Sequence, residues 1–378
     1  GGTGGVAGGS TSAVGGAGGV GGEICASVSV STSVEKAPAD VVFVVDNSGS
    51  MGEEIAAIEQ NINVNFAGII EAAAIDYRVI MITDHGSANL EVCVEPPLSP
   101  SANCQGAPSS SNQFHHYDVN VASHDSLCIL LDTLHGANPL FADEHGLYPD
   151  GWAPLLRPEA IKFIIEISDD GTSCSSLGVN LNDSNNSDKG KEAAVDFDTW
   201  LTGLAPDQFG TLADRRYKFY AIVGVAANSP PSQPYGSEEP YVTGECFSAV
   251  DVGATYQWLA KGTGGYRFPV CETLDYGPIF EQIANDVLVT TAIPCTIELP
   301  EEPAGETYDL DALEVAFTAT MGGSFQLLTQ VADVNGCTGA TLEFYVEAGA
   351  MELCPAACAA VTDAGIDDGT VTVDVRCE

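Results

Sequence analysis

The sequence predicts an α/β protein: a doubly wound, mostly parallel sheet accompanied by a small, disulfide-rich all-β module. Over positions 37–293, short apolar and β-branched runs alternate with helical patterns. That alternation is typical of a parallel sheet covered by helices on both faces. Over positions 294–378, short strand-like runs are separated by Gly, Pro and Asp turns, and five of the twelve cysteines lie there. Such a small core needs disulfides to hold it.

The first residues differ in composition from the rest of the chain. Twelve of the first 22 are glycine, so positions 1–23 are predicted to form a flexible tether. The alternative is an ordered glycine-rich arm that packs on a neighbouring subunit. Small polar and apolar residues then alternate in the segment 24–36, which predicts a strand that joins the C-terminal β module.

The α/β pattern begins with a continuous apolar run at 41–45, which predicts a central strand covered on both faces. A helix is predicted at 53–74 and a second buried strand at 77–83. The alternation then continues with helices at 127–134, 193–204, 255–261 and 279–289, and with strands at 160–168 and 217–225.

Two long loops, 91–111 and 228–243, are rich in Pro and Ser. Loops of this length in a compact domain are usually functional or pinned. We expect disulfides Cys93–Cys104 and Cys246–Cys271, each closing a local segment between buried elements.

Composition narrows the class of partner. Asp and Glu total 53 against 12 Lys and Arg, for a formal net charge of −41, and such a surface repels nucleic acid. The cysteines lack paired Cys-x-x-Cys zinc spacings and are therefore expected to form disulfides, which persist outside the cytosol. No apolar run approaches the roughly 20 residues of a membrane-spanning helix.

One motif carries chemistry: Asp46-Asn-Ser48-Gly-Ser50, directly after the strand at 41–45. Ligands of open α/β sheets bind at the carboxyl ends of the strands. One carboxylate and two hydroxyls on a tight turn are suited to a hard cation such as Mg²⁺. The competing interpretation is a simple helix N-cap, which needs only one such residue.

This motif resembles the metal-ion-dependent adhesion site of the von Willebrand factor A family, which opens with Asp-x-Ser-x-Ser. The resemblance covers positions 37–293 and implies a Rossmann-like fold. It assigns Asp46, Ser48 and Ser50 to the first metal loop and Asp169 to the third. In the second loop the family offers Thr, whereas this chain has Ser123. The additional candidates are Ser126, Asp125 and Asp170.

The family resemblance also implies a ligand and a partner. The implied ion is Mg²⁺, with Ca²⁺ or Mn²⁺ as alternatives, and its open coordination position takes a carboxylate from a partner protein. The glycine-rich start and the cysteine-rich tail resemble those of secreted myxobacterial proteins with this domain. A secreted or cell-surface location is therefore expected, with any export signal or lipid anchor lying upstream of residue 1.

Three functions compete. The leading hypothesis is a metal-dependent adhesion module on the exterior of a bacterial cell. The second is a structural subunit of a surface filament or layer that self-assembles through the glycine-rich arm. The third is a metal-dependent hydrolase, which only the histidines between positions 115 and 145 favour. Because their spacing matches no zinc-hydrolase helix motif, the chain is predicted not to be an enzyme.

Overall fold

The computed structural model describes positions 24–31, 37–73, 75–184, 186–272, 276–291, 295–299, 302, 307–318, 325–338, 342–347, 349–362 and 370–377. The chain separates into an α/β unit, positions 36–291, and a β-rich unit, positions 1–35 together with 292–378. The glycine-rich segment 1–23 and positions 32–36 lie outside the described residues, so the tether and the arm stay predictions.

The first strand of the chain belongs to the β-rich unit, and the next eight belong to the α/β unit. In chain order the first nine strands are β1 (Ile24–Ser31), β2 (Ala39–Val45), β3 (Tyr77–Thr83), β4 (Phe114–Asp118), β5 (Ile161–Ile167), β6 (Ser173–Ser176), β7 (Val179–Asn182), β8 (Tyr217–Val223) and β9 (Arg267–Pro269). The next seven are β10 (Thr296–Glu298), β11 (Tyr308–Thr318), β12 (Phe325–Leu327), β13 (Thr329–Gln330), β14 (Glu343–Glu347), β15 (Ala350–Leu353) and β16 (Thr370–Cys377).

Most of the helices belong to the α/β unit. In chain order they are α1 (Gly52–Asn61), α2 (Gly68–Ala72), α3 (Ser126–Thr133), α4 (Ser187–Leu204), α5 (Pro206–Phe209), α6 (Ala254–Thr263), α7 (Gly277–Thr291) and α8 (Pro355–Thr362). The π-helical segment Ile62–Ala67 joins α1 to α2, and short 3₁₀ turns lie at Pro139–Phe141, Ala153–Leu155 and Val334–Gly336.

Six strands form the sheet of the α/β unit in the order β4-β3-β2-β5-β8-β9, and every pair is parallel. The direction of strand order reverses between β2 and β5, which is where ligands of such sheets bind. The alternating side chains of β2 supply two separate cores. Val41, Phe43 and Val45 pack with α1, α2 and α7, whereas Val42 and Val44 pack with α3, α4 and α6.

These observations confirm the prediction of a mixed α/β protein with a parallel sheet. Helices cover both faces because the continuous apolar runs have no polar face to offer water. Strand β4, with the sequence Phe-His-His-Tyr-Asp, was not predicted, since its polar residues conceal a buried strand. Burial of His116 is offset by its ring Nε2, which lies 3.0 Å from the Thr83 carbonyl oxygen.

The β-rich unit contains two four-stranded sheets, ordered β1-β16-β11-β12 and β10-β15-β14-β13, around one apolar core. Strand β1 pairs antiparallel with β16, so the early strand and the end of the chain share one sheet. Val371, Val373 and Val375 of β16 point into the core at alternate positions, as a half-buried strand requires.

The prediction that the C-terminal module is all-β is wrong, because it contains α8. The helix begins at Pro355, whose fixed φ and missing N–H suit a first helical position. Cys354 and Cys358 lie one turn apart, and the Cys358 N–H donates to the Cys354 carbonyl oxygen at 2.8 Å. Each cysteine is bonded to a distant segment, Cys337 and Cys295 respectively. The alanine-rich segment has a high helix propensity, and the two crosslinks hold it in place.

The disulfides among the described residues include Cys93–Cys104, Cys128–Cys174, Cys246–Cys271, Cys295–Cys358 and Cys337–Cys354. The first and third are the two pairs that the sequence analysis proposed. Among the described residues, no helix combines the length and apolar character needed to cross a bilayer.

Candidate metal centre

The candidate metal centre lies where β2 and β5 end side by side. Val45 is paired with Ile167 in parallel register, so the residues that follow each strand emerge at one edge of the sheet. The Asp46 N–H continues the ladder by donating to the Ile167 carbonyl oxygen at 3.0 Å. The register therefore brings Asp46 next to Ser168 and Asp169, although more than 120 residues separate them in sequence.

The first loop turns its polar groups toward this edge. Asp46 Oδ1 accepts a hydrogen bond from the Ser48 N–H at 2.8 Å, which holds the turn closed. The Ser50 hydroxyl donates to Asp169 Oδ1 at 3.1 Å, and its oxygen lies 3.5 Å from that of Ser48. The structure thus places Asp46, Ser48, Ser50 and Asp169 in one constellation.

A third carboxylate belongs to the same group. One oxygen from each of Asp46, Asp169 and Asp170 lies within 4.8 Å of the other two. All three side chains are buried, between 1% and 3% exposed. The sequence analysis named Asp170 as an additional metal-ligand candidate, and it lies in this group because it follows Asp169 directly.

The second loop contributes less directly. Ser123 is half-buried, and its hydrogen bond with Asp170 opposes the rise in the pKa of that carboxyl group that burial causes. Ser126 begins α3, and its hydroxyl lies 2.9 Å from the Tyr256 hydroxyl. Asp125 Oδ1 accepts from the Ala122 N–H at 2.8 Å and so shapes this loop. Ser123 is therefore the second-loop hydroxyl that the structure brings next to Asp170.

Burial makes the charged forms of these carboxylates unfavourable. It raises the pKa of Asp169 to about 6; the Ser50 hydrogen bond opposes this rise, and the charges of Asp46 and Asp170 add smaller contributions to it. Burial likewise raises the pKa of Asp46 and of Asp170. Three buried, mutually repelling carboxyl groups are stabilised by a cation, which pairs with all of them at once.

Three further residues of the centre were not found from the sequence. The Ser168 hydroxyl, fully buried, donates to Asp46 Oδ2 at 2.8 Å and accepts from the Asp170 N–H at 3.1 Å. The Asn47 side chain joins the first loop to the second by accepting from the Val121 N–H at 2.6 Å. Glu54, 4% exposed in the first turn of α1, lies near Asp169 and Asp46, and burial chiefly raises its pKa to about 6. Ser168 could have been identified from the sequence, because it lies between a predicted buried strand and the candidate ligand Asp169.

The donor set fits a hard divalent cation. Carboxylate and hydroxyl oxygens are the protein ligands that Mg²⁺ and Ca²⁺ prefer. Asp170 Oδ1 and Glu54 Oε2 are shielded from solvent and have no hydrogen-bond partner among the described residues. Buried acceptors without a partner are costly, and an ion at this edge would satisfy Asp170.

The structure does not gather the histidines that favoured a hydrolase at the candidate centre. His115 packs on Tyr148, with ring centroids 5.9 Å apart, and His135 lies by the Leu204 carbonyl oxygen. His124 is the one that reaches the candidate centre among the described residues, with Nδ1 3.1 Å from the Gly171 carbonyl oxygen and 3.7 Å from Asp170 Oδ1.

No protein-family model and no curated protein matches the chain. The resemblance to the von Willebrand factor A family therefore depends on the residues of the metal loops and stays a prediction.

Replacing Ser168 with Ala is expected to weaken Mg²⁺ binding about tenfold, the usual lower effect of losing a group that orients a ligand. The substitution removes the donor to Asp46 Oδ2 and the acceptor for the Asp170 N–H. Titration calorimetry measures the change. Ser175→Ala, on the exposed hairpin of β6 and β7, is the matched control. Equal affinity in the two variants would show that Ser168 does not orient Asp46.

Proposed function

We propose that the chain is an extracellular, metal-dependent protein-binding module of the von Willebrand factor A type. In this proposal Asp46, Ser48, Ser50 and Asp169 hold Mg²⁺, with Ser123 and Asp170 beside them. The observation that carries it is the convergence of three buried carboxylates and the Ser48 and Ser50 hydroxyls at the ends of two neighbouring parallel strands.

A bound Mg²⁺ would supply a positive centre that attracts a carboxylate of the partner. The chain's own residues prepare that position. Ser48 and Ser50 are the more accessible members of the centre, half-buried and exposed respectively, whereas the carboxylates lie beneath the surface. Hydroxyl ligands leave more positive charge on the ion than further carboxylates would, and so favour an anionic partner. With a net charge of −41, the chain needs such a bridge to hold an acidic partner.

Two other parts of the proposal have indirect support. Disulfides within the described residues are compatible with the oxidising conditions outside the cytosol, which favours secretion or display on a cell surface. The expectation that the chain is not an enzyme stays a prediction, and its support is a histidine spacing that matches no zinc-hydrolase helix motif.

Metal-dependent capture tests this function. The immobilised chain is exposed to cell-surface extract in Mg²⁺ and, in parallel, in EDTA. We expect proteins that are retained in Mg²⁺, released by EDTA, and absent from an otherwise identical Asp46→Asn column. Retention that is the same with and without Mg²⁺, or unchanged by Asp46→Asn, would contradict the proposal.

A further inference from the structure

A second cluster of ligating side chains lies at the ends of β3 and β4. Asp84 follows β3 directly, Asp118 ends β4, and Glu144 lies in the loop beyond it. One oxygen from each lies within 4.8 Å of the other two. The Glu144 N–H donates to the Asp118 carbonyl oxygen at 2.9 Å, so the backbone itself brings these side chains together.

These carboxylates have little positive charge to balance them. Within the part of the chain that the structure describes, no lysine or arginine forms an ion pair with any of the three. His145 Nδ1 lies 2.8 Å from Asp118 Oδ2.

A pair of imidazoles beside the carboxylates gives an independent indication of a ligand. His116, 1% exposed, contacts His85 edge-on with ring centroids 4.7 Å apart. Nδ1 of His116 and both ring nitrogens of His85 are shielded from solvent and lack hydrogen-bond partners among the described residues. His116 leaves the same face of β4 as Asp118 because the two lie two positions apart on the strand. The His85 N–H also donates to Asp118 Oδ1 at 2.9 Å.

Buried nitrogens without partners beside clustered carboxylates point to a ligand at this place in the fold. Buried polar groups in folded proteins almost always have a partner. A carboxylate that binds a metal is commonly oriented by a second group, as His145 orients Asp118. Carboxylate oxygens suit hard divalent cations, Mn²⁺ among them.

We infer that Asp84, Asp118 and Glu144 form a second divalent-cation site. This site uses none of the residues of the Asp46 centre. An ion there would tie together the segments that follow β3 and β4.

Calorimetry and electron paramagnetic resonance with Mn²⁺ as the probe test this inference on the full chain. We expect two Mn²⁺ ions per wild-type chain. Glu144→Gln, at an exposed position, should weaken one site by at least about tenfold and leave the other unchanged. Asp84→Asn serves as the second variant, and Glu159→Gln, exposed just before β5, is the matched control.

The Asp46→Asn variant separates this inference from the proposed function. If one ion remains in Asp46→Asn and is lost on adding Glu144→Gln, the second site stands whatever the first site binds. A wild-type chain that holds a single Mn²⁺, lost in Asp46→Asn and kept in Glu144→Gln and Asp84→Asn, would overturn the inference.

Discussion

Asp46→Asn is expected to reduce Mg²⁺ affinity at least about 100-fold while the chain remains folded. Loss of an orienting group alone typically costs 10- to 100-fold, and Asp46 is a direct candidate ligand at the centre of the site. The substitution removes a negative charge that the folded chain buries at 1% exposure. Asparagine has nearly the same volume and retains an oxygen that accepts from the Ser48 N–H.

The fold should tolerate this change because burial raises the pKa of Asp46 and so already opposes its charged form. Without metal, the variant is therefore expected to unfold at a temperature no lower than that of the metal-free wild type. Calorimetric Mg²⁺ titration and thermal unfolding measure the two effects. Asp207→Asn, exposed on α5, is the matched control. Unchanged Mg²⁺ affinity in Asp46→Asn would contradict the metal assignment.

Removing the Cys128–Cys174 disulfide is expected to lower the free energy of unfolding by about 4 kcal/mol. The bond closes 46 residues, and the chain-entropy relation gives about that value for a loop of this length. It also joins α3 to the hairpin of β6 and β7, whose Ser173 N–H donates to the His124 carbonyl oxygen at 3.0 Å. Loss of the bond should therefore loosen the second metal loop and weaken Mg²⁺ binding.

The Cys93–Cys104 bond provides the comparison. It closes only 11 residues, for which the same relation gives about 3 kcal/mol, and it lies in the loop after β3. Each pair is replaced by Ala, and denaturant unfolding is followed under non-reducing conditions. We expect the Cys128/Cys174 variant to be the less stable one and the one with weakened Mg²⁺ binding. Equal stability, or Mg²⁺ affinity lost only in the Cys93/Cys104 variant, would be inconsistent with this role.

The α/β core could be predicted from the sequence because its strands are continuous apolar runs. Phe43 and its neighbours on β2 have no polar face, so a central strand is the one arrangement that buries them. Strand β4 could not be found in this way. His116 and Tyr117 are accommodated by the carbonyl oxygens of Thr83 and Phe141, contacts that depend on the tertiary fold.

The metal centre was partly predictable for a similar reason. Asp46, Ser48 and Ser50 lie within five residues and directly after a strand, so the sequence alone predicts that their side chains lie close together. Ser168 acts across the sheet, and its role depends on the register of β2 against β5. The Asp84 cluster could not be predicted because Asp84, Asp118 and Glu144 span 60 positions. The pairing of β3 with β4 and the backbone hydrogen bond from Glu144 to Asp118 bring them together.

A crystal structure of the full chain soaked in Mn²⁺, with anomalous scattering recorded at the manganese edge, tests the central claim most directly. Mn²⁺ accepts the same oxygen ligands as Mg²⁺ and can be located without ambiguity. We expect an anomalous peak in contact with Asp46, Ser48 or Ser50, and Asp169, and none at that position in Asp46→Asn. A wild-type crystal without an anomalous peak at the carboxyl ends of β2 and β5 would contradict the assignment of this edge of the sheet as a metal centre.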